Sequence, residues 1–205
     1  MNKYKYIIFD LDWTLINSTH KILDIIEDYF LDNYPELYDT ARYYMENSQW
    51  QSLQEQLENI FQDKKIADKE TKKIYKILWN LRDKVKFFPW VQEKIKELYK
   101  NWYKIFLTTW SSTKFAKQTL KDWSIDKYFE KIIWSDKILK WKQHLEIFKE
   151  LSWDEYFYKK ALYIWDWDMD KIFALESWID FIRVWIKWNK NENKIKSILE
   201  IDKYL

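Results

Sequence analysis

Four places in this chain set acids, hydroxyls or an amine directly after a short apolar run. Asp10 and Asp12 follow KYIIF, Thr108 and Thr109 close KIFLTT, Lys142 comes soon after KIIW, and Asp166 and Asp170 follow ALYI. Carboxylates of this kind can serve as nucleophile, general acid or base, or ligand to a hard cation. Hydroxyls, amides and an amine can hold and neutralise a phosphoryl group. Gathered at one edge they would equip a protein for phosphoryl transfer. Singly, each signal is weak. Two carboxylates leaving a strand can be a plain strand end, a threonine there is common, and one lysine among 32 is ordinarily a solvated charge. Asp168 reads as a carboxylate favoured at a helix N-terminus by the macrodipole. Lys140 is the fallback for Lys142. His20 and His144 have no partners at ligand or triad spacing and read as surface residues.

The elements that must position these groups follow from periodicity. KYIIFDL is a short, apolar, β-branched run, as expected of a buried strand. From Phe87 onward helix and strand patterns alternate: VQEKIKELYK, KIFLTT, KFAKQTLKD, KIIW, QHLEIFKEL, ALYIWD, MDKIFALES and DFIRVW. Such alternation predicts βαβ units and a parallel sheet sandwiched by helices, a Rossmann-like α/β fold. Between them, KILDIIEDYFLDNY, SLQEQLENIFQDK and ETKKIYKILWNLRDKV are helical in pattern. The chain thus divides into an α/β core over 1–16 and 87–205 and an inserted all-helical block over 17–86. The tail ENKIKSILEIDKYL reads as a last helix. Ligands of open α/β sheets bind beyond the carboxyl ends of the strands, where the polar residues above fall.

Composition narrows the classes. The 205 residues are 47% hydrophobic with a formal net charge of +2, which gives no reason to expect nucleic acid or an anionic membrane as partner. No stretch approaches the roughly 18 apolar residues of a membrane span. The opening MNKYKYIIFDLD turns acidic too soon for a signal peptide, so the expected location is cytoplasmic. Without cysteine there are neither disulfides nor thiolate metal sites. Oligomeric state is not readable.

One balance is abnormal. Average usage predicts roughly 14 glycines in such a chain, yet there are none, and tryptophan occurs 15 times. Trp102, Trp123, Trp153 and Trp178 stand just after helical runs, where a left-handed residue is favoured. Trp90 precedes a helix, while Trp165 and Trp167 bracket Asp166 in an expected strand-to-loop turn. An indole suits none of these places. A gene that reads UGA as glycine, translated with UGA as tryptophan, accounts for both anomalies. The scarcity of residues with GC-rich codons (Ala 5, Pro 2, Arg 3) agrees. Trp50 and Trp79 lie in helical patterns and read as true tryptophans.

With Trp13 read as glycine, FDLDWTL resembles the first motif of the haloacid dehalogenase superfamily. Phe88-Pro89-Trp90-Val91, Leu107-Thr108-Thr109, Lys140-Trp141-Lys142 and Trp165-Asp166-Trp167-Asp168-Met169-Asp170 resemble its later landmarks in the same order. The phosphoglycolate phosphatase-like branch is the nearest in character, and the helical block resembles the family's cap. Two departures stand: Gln143 replaces the proline that often follows the motif lysine, and Trp13, if literal, breaks the first motif.

The resemblance implies a phosphatase acting on a small phosphate ester, with Asp10 as nucleophile and Asp12 as acid and base. Magnesium would be held by Asp10, the backbone carbonyl of Asp12 and Asp166, with Asp170 in support. Thr108, Thr109 and Lys142 would bind the phosphoryl group. Receiver domains share such groups, but no carboxylate site follows their lysine. A dinucleotide site would need glycine where Asp170 stands, and no P-loop string emerges on any reading. A phosphomutase of the same fold, or an inactive protein if Trp13, Trp165 and Trp167 are literal, are the remaining alternatives.

Overall fold

The computed structural model describes residues 2–48, 51–80, 86–109, 111, 113–134, 142–166, 168–184, 194–195 and 197–205. They divide into two compact units, Met1–Asn17 with Phe87–Leu205 and Ser18–Lys86.

The first unit is built on a six-stranded sheet. β1 is Tyr6–Phe9, β4 Lys104–Thr109, β5 Phe129–Trp134, β6 Ala161–Trp165, β7 Asp180–Val184 and β8 Lys194–Ile195, in the spatial order β5-β4-β1-β6-β7-β8. Every pairing in this sheet is parallel. Parallel strands need crossovers, which the helices α5 (Val91–Lys100), α6 (Thr113–Asp122), α7 (Lys142–Ser152) and α8 (Asp168–Glu176) supply. β1 is buried along its whole length, as an apolar YIIF covered on both faces should be. Tyr6, Ile8, Phe106, Ile133, Tyr163 and Trp165 from the strands join Leu145 and Phe148 of α7 in one core cluster. Short strands β2 (Ile16–Asn17) and β3 (Lys86–Phe87) pair where the chain leaves this unit and returns to it.

The second unit is all-helical: α1 (Thr19–Asn33), α2 (Tyr38–Asn47), α3 (Leu53–Phe61) and α4 (Lys64–Asn80). Ile26, Phe30, Met45, Leu57, Ile60 and Ile74 form its core. α2 has no counterpart in the sequence reading, since only Ala41 and Met45 of its residues are buried and its amphipathic stripe is thin. Ser52 starts α3 with a reciprocal capping box to Glu55. Glu70 is buried in this unit, accepting from Tyr29 Oη and, at 2.8 and 2.9 Å, from Lys73 Nζ. Burial pushes the Glu70 carboxyl upward, but the bonds from Lys73 and Tyr29 outweigh it and hold it below the usual range.

Several expectations need correcting. The tail is not a helix throughout: Lys194–Ile195 adds to the sheet beside β7, and among the described residues Ile198–Lys203 winds as a 3₁₀ turn. Ser197, accepting from the Leu199 amide, caps that turn and separates the two pieces. Trp165 is the last residue of β6, not part of a turn, and is fully buried in the core. Trp90 has φ −93°. Trp123 is not left-handed; that place is taken by Ser124, φ 56°. Trp102, Trp153 and Trp178 have φ of 67°, 52° and 55°, and Trp13 has 60°. Among the described residues no helix is long and apolar enough to cross a membrane. Trp79 lies in α4, whereas Trp50 and Trp167 fall outside the described residues.

Candidate active site

The order β5-β4-β1-β6-β7-β8 makes β1 the switch point of the sheet. The chain builds outward from β1 through β4 and β5, then crosses to β6 on the other flank. Crevices at such points collect ligand-binding groups. Phe9 pairs with Leu107 on one side and with Ile164 on the other, and the Asp10 amide donates to the Ile164 carbonyl at 3.0 Å. Asp10 therefore stands just past β1, between Thr108 and the residues leading into Asp166. Asp166 likewise stands just past β6, so the two acids leave the same end of adjacent parallel strands. Acidic residues from the first strand and from a late strand thus converge at one sheet edge.

Asp10 is 6% exposed. Beyond it the chain folds back on itself: the Leu15 and Ile16 amides donate to the Leu11 carbonyl, and the Trp13 amide donates to the Ile16 carbonyl at 2.7 Å. This tight turn holds Trp13 in the left-handed region and fixes the backbone of Asp12. Oδ2 of Asp12 accepts from Ser111 Oγ at 2.7 Å and from Thr109 Oγ1 at 3.3 Å. Thr14 is buried beside them, and its hydroxyl finds no hydrogen-bond partner among the described residues.

Thr108 and Thr109 are both buried at the end of β4. Thr108 Oγ1 lies 2.7 Å from His144 Nδ1. This overturns the surface reading of His144, which is fully buried on the inner face of α7 next to Leu145 and Phe148. His20 lies in α1, with its side chain outside the described set. Lys142 is the first residue of α7 and is exposed, rather than in the loop before it; Lys140 and Trp141 lie outside the described residues.

Asp166 is half-buried just past β6, and its carbonyl accepts from Arg183 Nε of β7 at 2.9 Å. Asp170 falls in the first turn of α8, with its side chain, like that of Asp168, outside the described set. Sequence reasoning missed Ser111, His144 and Arg183. Ser111 follows a strand end within TTWSST with no spacing signal, and one histidine or arginine in an amphipathic pattern does not announce burial.

Among the described residues no three acidic, histidine or cysteine side chains form a ready metal cluster. The acidic side chains at these strand ends, Asp10, Asp12 and Asp166, offer oxygen donors. Such a set fits a hard cation that retains waters, as magnesium does, better than a thiolate- or imidazole-seeking metal.

Known proteins extend this picture. A haloacid dehalogenase-like protein from Streptococcus pneumoniae superposes with TM-score 0.71 at 20% identity, over 100% of this chain and 99% of that one. A candidate phosphoglycolate phosphatase from Lactobacillus plantarum gives TM-score 0.78 at 16% identity over 100% of both chains. A predicted phosphoglycolate phosphatase from Haemophilus somnus gives 0.72 at 21%, over 99% of this chain and 98% of that one. At these identities the likeness establishes the fold. No curated protein matches the sequence. The profile of the haloacid dehalogenase-like hydrolases matches residues 7–184, from β1 to β7 and including every residue of the strand-end cluster. The chain belongs to the haloacid dehalogenase-like hydrolase family.

Proposed function

We propose that this hydrolase is a magnesium-dependent phosphatase that removes phosphate from a small cytosolic ester through an aspartyl-phosphate on Asp10. The observation that carries the reading is the convergence of Asp10, Asp12, Thr108 and Asp166 at the carboxyl ends of three adjacent parallel strands. The phosphoglycolate phosphatase names of two structural neighbours agree with it.

In this reading a carboxylate oxygen of Asp10 attacks phosphorus and the bond to the ester oxygen breaks. Asp12 gives its proton to the departing alkoxide, releasing the alcohol. Water then attacks phosphorus, Asp12 takes its proton, and the bond from Asp10 to phosphorus breaks to release phosphate. Thr108, the Thr109 amide and Lys142 hold the phosphoryl oxygens. If His144 carries its proton on Nδ1, Thr108 accepts from it and turns its own hydroxyl proton outward. A magnesium ion held by Asp10, the Asp12 carbonyl and Asp166, with Asp170 in support, would offset the negative charge when bound. The core over 1–16 and 87–205 carries the chemistry, and the helical insertion over 17–86 is assigned the role of cap.

The tryptophans at 13, 102, 153 and 178 are assigned as glycines of a recoded gene. What supports this is conformation. All four are left-handed, at a cost of roughly 1–2 kcal/mol each for a residue with a Cβ. Trp102, Trp153 and Trp178 are also 90%, 95% and 87% exposed, so their indoles gain almost nothing in return. Trp165 is different, being packed between Tyr163 and Phe181.

The test is phosphate release from a panel of small phosphomonoesters by the glycine-bearing chain, with and without magnesium. Magnesium-dependent release from at least one ester is expected. No release from any of them would contradict the phosphatase reading.

A further inference from the structure

Resting on the phosphatase reading, we propose that Ser111 is a positioning residue that holds the side chain of Asp12 in the orientation its proton transfers need. The Asp12 backbone is held by the turn between Leu11 and Ile16, and its side chain is reached from the segment that ends β4. Two hydroxyls converge on Oδ2. Ser111 Oγ stands at 2.7 Å, the usual length of a strong O–H···O bond, and Thr109 Oγ1 at 3.3 Å, beyond that range. Ser111 is therefore the closer of the two hydroxyls. Its amide also donates to Thr109 Oγ1 at 3.0 Å, which orients the second hydroxyl toward the same carboxylate.

The chemical consequence follows from hydrogen-bond capacity. A protonated carboxyl has one donating and one accepting oxygen. Hydroxyls placed on Oδ2 fix how the carboxyl is turned. In the first half-reaction the Asp12 proton passes to the ester oxygen as its bond to phosphorus breaks and the bond from Asp10 forms. In the second, the same carboxyl receives the proton of the attacking water. Loss of Ser111 would remove the closer of the two hydroxyls that orient Asp12, and general-acid catalysis depends on geometry before acidity.

The test compares kcat/KM of the full chain and its Ser111→Ala variant on an alkyl phosphate and on 4-nitrophenyl phosphate. This ratio reports the steps through departure of the leaving group, and the nitrophenolate leaves with little help from an acid. The variant is expected to lose about tenfold or more on the alkyl ester and less than about threefold on the aryl ester, a fraction of what general acids supply. Ser111→Thr, which keeps the hydroxyl, restores the alkyl rate to within about threefold. In an Asp12→Asn background, Ser111→Ala costs nothing further. Equal losses on both esters, no loss on either, or an undiminished loss in the Asp12→Asn background would overturn the assignment. A parent chain inactive on every ester would instead overturn the phosphatase reading, and this inference with it.

Discussion

Asp10 reaches the sheet edge with its backbone locked, because its amide is bonded to Ile164 and the residue before it is paired on both sides. The proposed nucleophile, so held, can be replaced without disturbing the strand. Asp10→Asn is isosteric, and is expected to leave the circular dichroism spectrum unchanged while lowering kcat at least about a thousandfold, since the amide cannot form the covalent intermediate. Turnover near that of the parent would contradict the assignment. Arg183 acts one step away, donating to the carbonyl of Asp166 from the neighbouring strand. Arg183→Met removes that bond. It is expected to raise the magnesium concentration for half-maximal activity about tenfold or more, as loss of an outer partner of a metal ligand commonly does. The kcat at saturating magnesium should change far less; a fall in kcat alone would place Arg183 elsewhere in the mechanism.

At the scale of elements, helix ends carry the clearest signal. The i→i−5 bonds Tyr103–Leu98 and Ile179–Ala174 close α5 and α8, each with a left-handed tryptophan just before the donor. α6 closes in the same way through Ile125–Leu120, and there the residue before the donor is Ser124. That is why Trp102 and Trp178 were legible as helix-end positions from the amphipathic runs and Trp123 was off by one: such runs fix a helix boundary only to within a residue or so. Replacing Trp153 by glycine is expected to stabilise the fold by about 1 kcal/mol in urea unfolding, by relieving the left-handed strain. No gain would remove the conformational support for glycine at that position.

Asp154 ties the lower edge of the sheet together. It accepts from Tyr6 Oη of β1 at 3.0 Å, from Lys160 Nζ at 2.9 and 3.1 Å, and from the Tyr156 amide. The Lys160 bond holds its carboxyl below the usual value of 3.8 despite partial desolvation. A depressed folded-state value means the contribution is present above about pH 3.8 and fades as pH falls through the lower folded value. Asp154→Asn is therefore expected to cost about 1–2 kcal/mol at pH 6, and the gap to the parent should narrow below pH 3.8. A gap constant down to pH 2 would show that packing, not charge, is at work. None of this was legible in the sequence, where Asp154 is one of 33 acidic residues. Strand-end acids are readable because apolar runs point to them. Asp154, Ser111 and the buried His144 depend on contacts between distant segments that no local pattern encodes.

At the scale of the molecule, alternation of helix and strand from Phe87 onward was enough to infer a parallel sheet, and the switch point at β1 explains why its carboxylates matter. What the pattern could not supply was the division of the helical unit into four helices, or the short β8 that replaces half of the expected last helix. The central claim is that the first strand's Asp10 carries the phosphoryl group during turnover. Its most direct test is acid quenching of the enzyme at steady state with magnesium and a substrate ester, followed by borohydride reduction and peptide mass spectrometry. Homoserine at position 10, the reduction product of an aspartyl-phosphate, is expected only when ester and magnesium are both present. Sustained turnover with Asp10 recovered unmodified, or with the label on another residue, would contradict it.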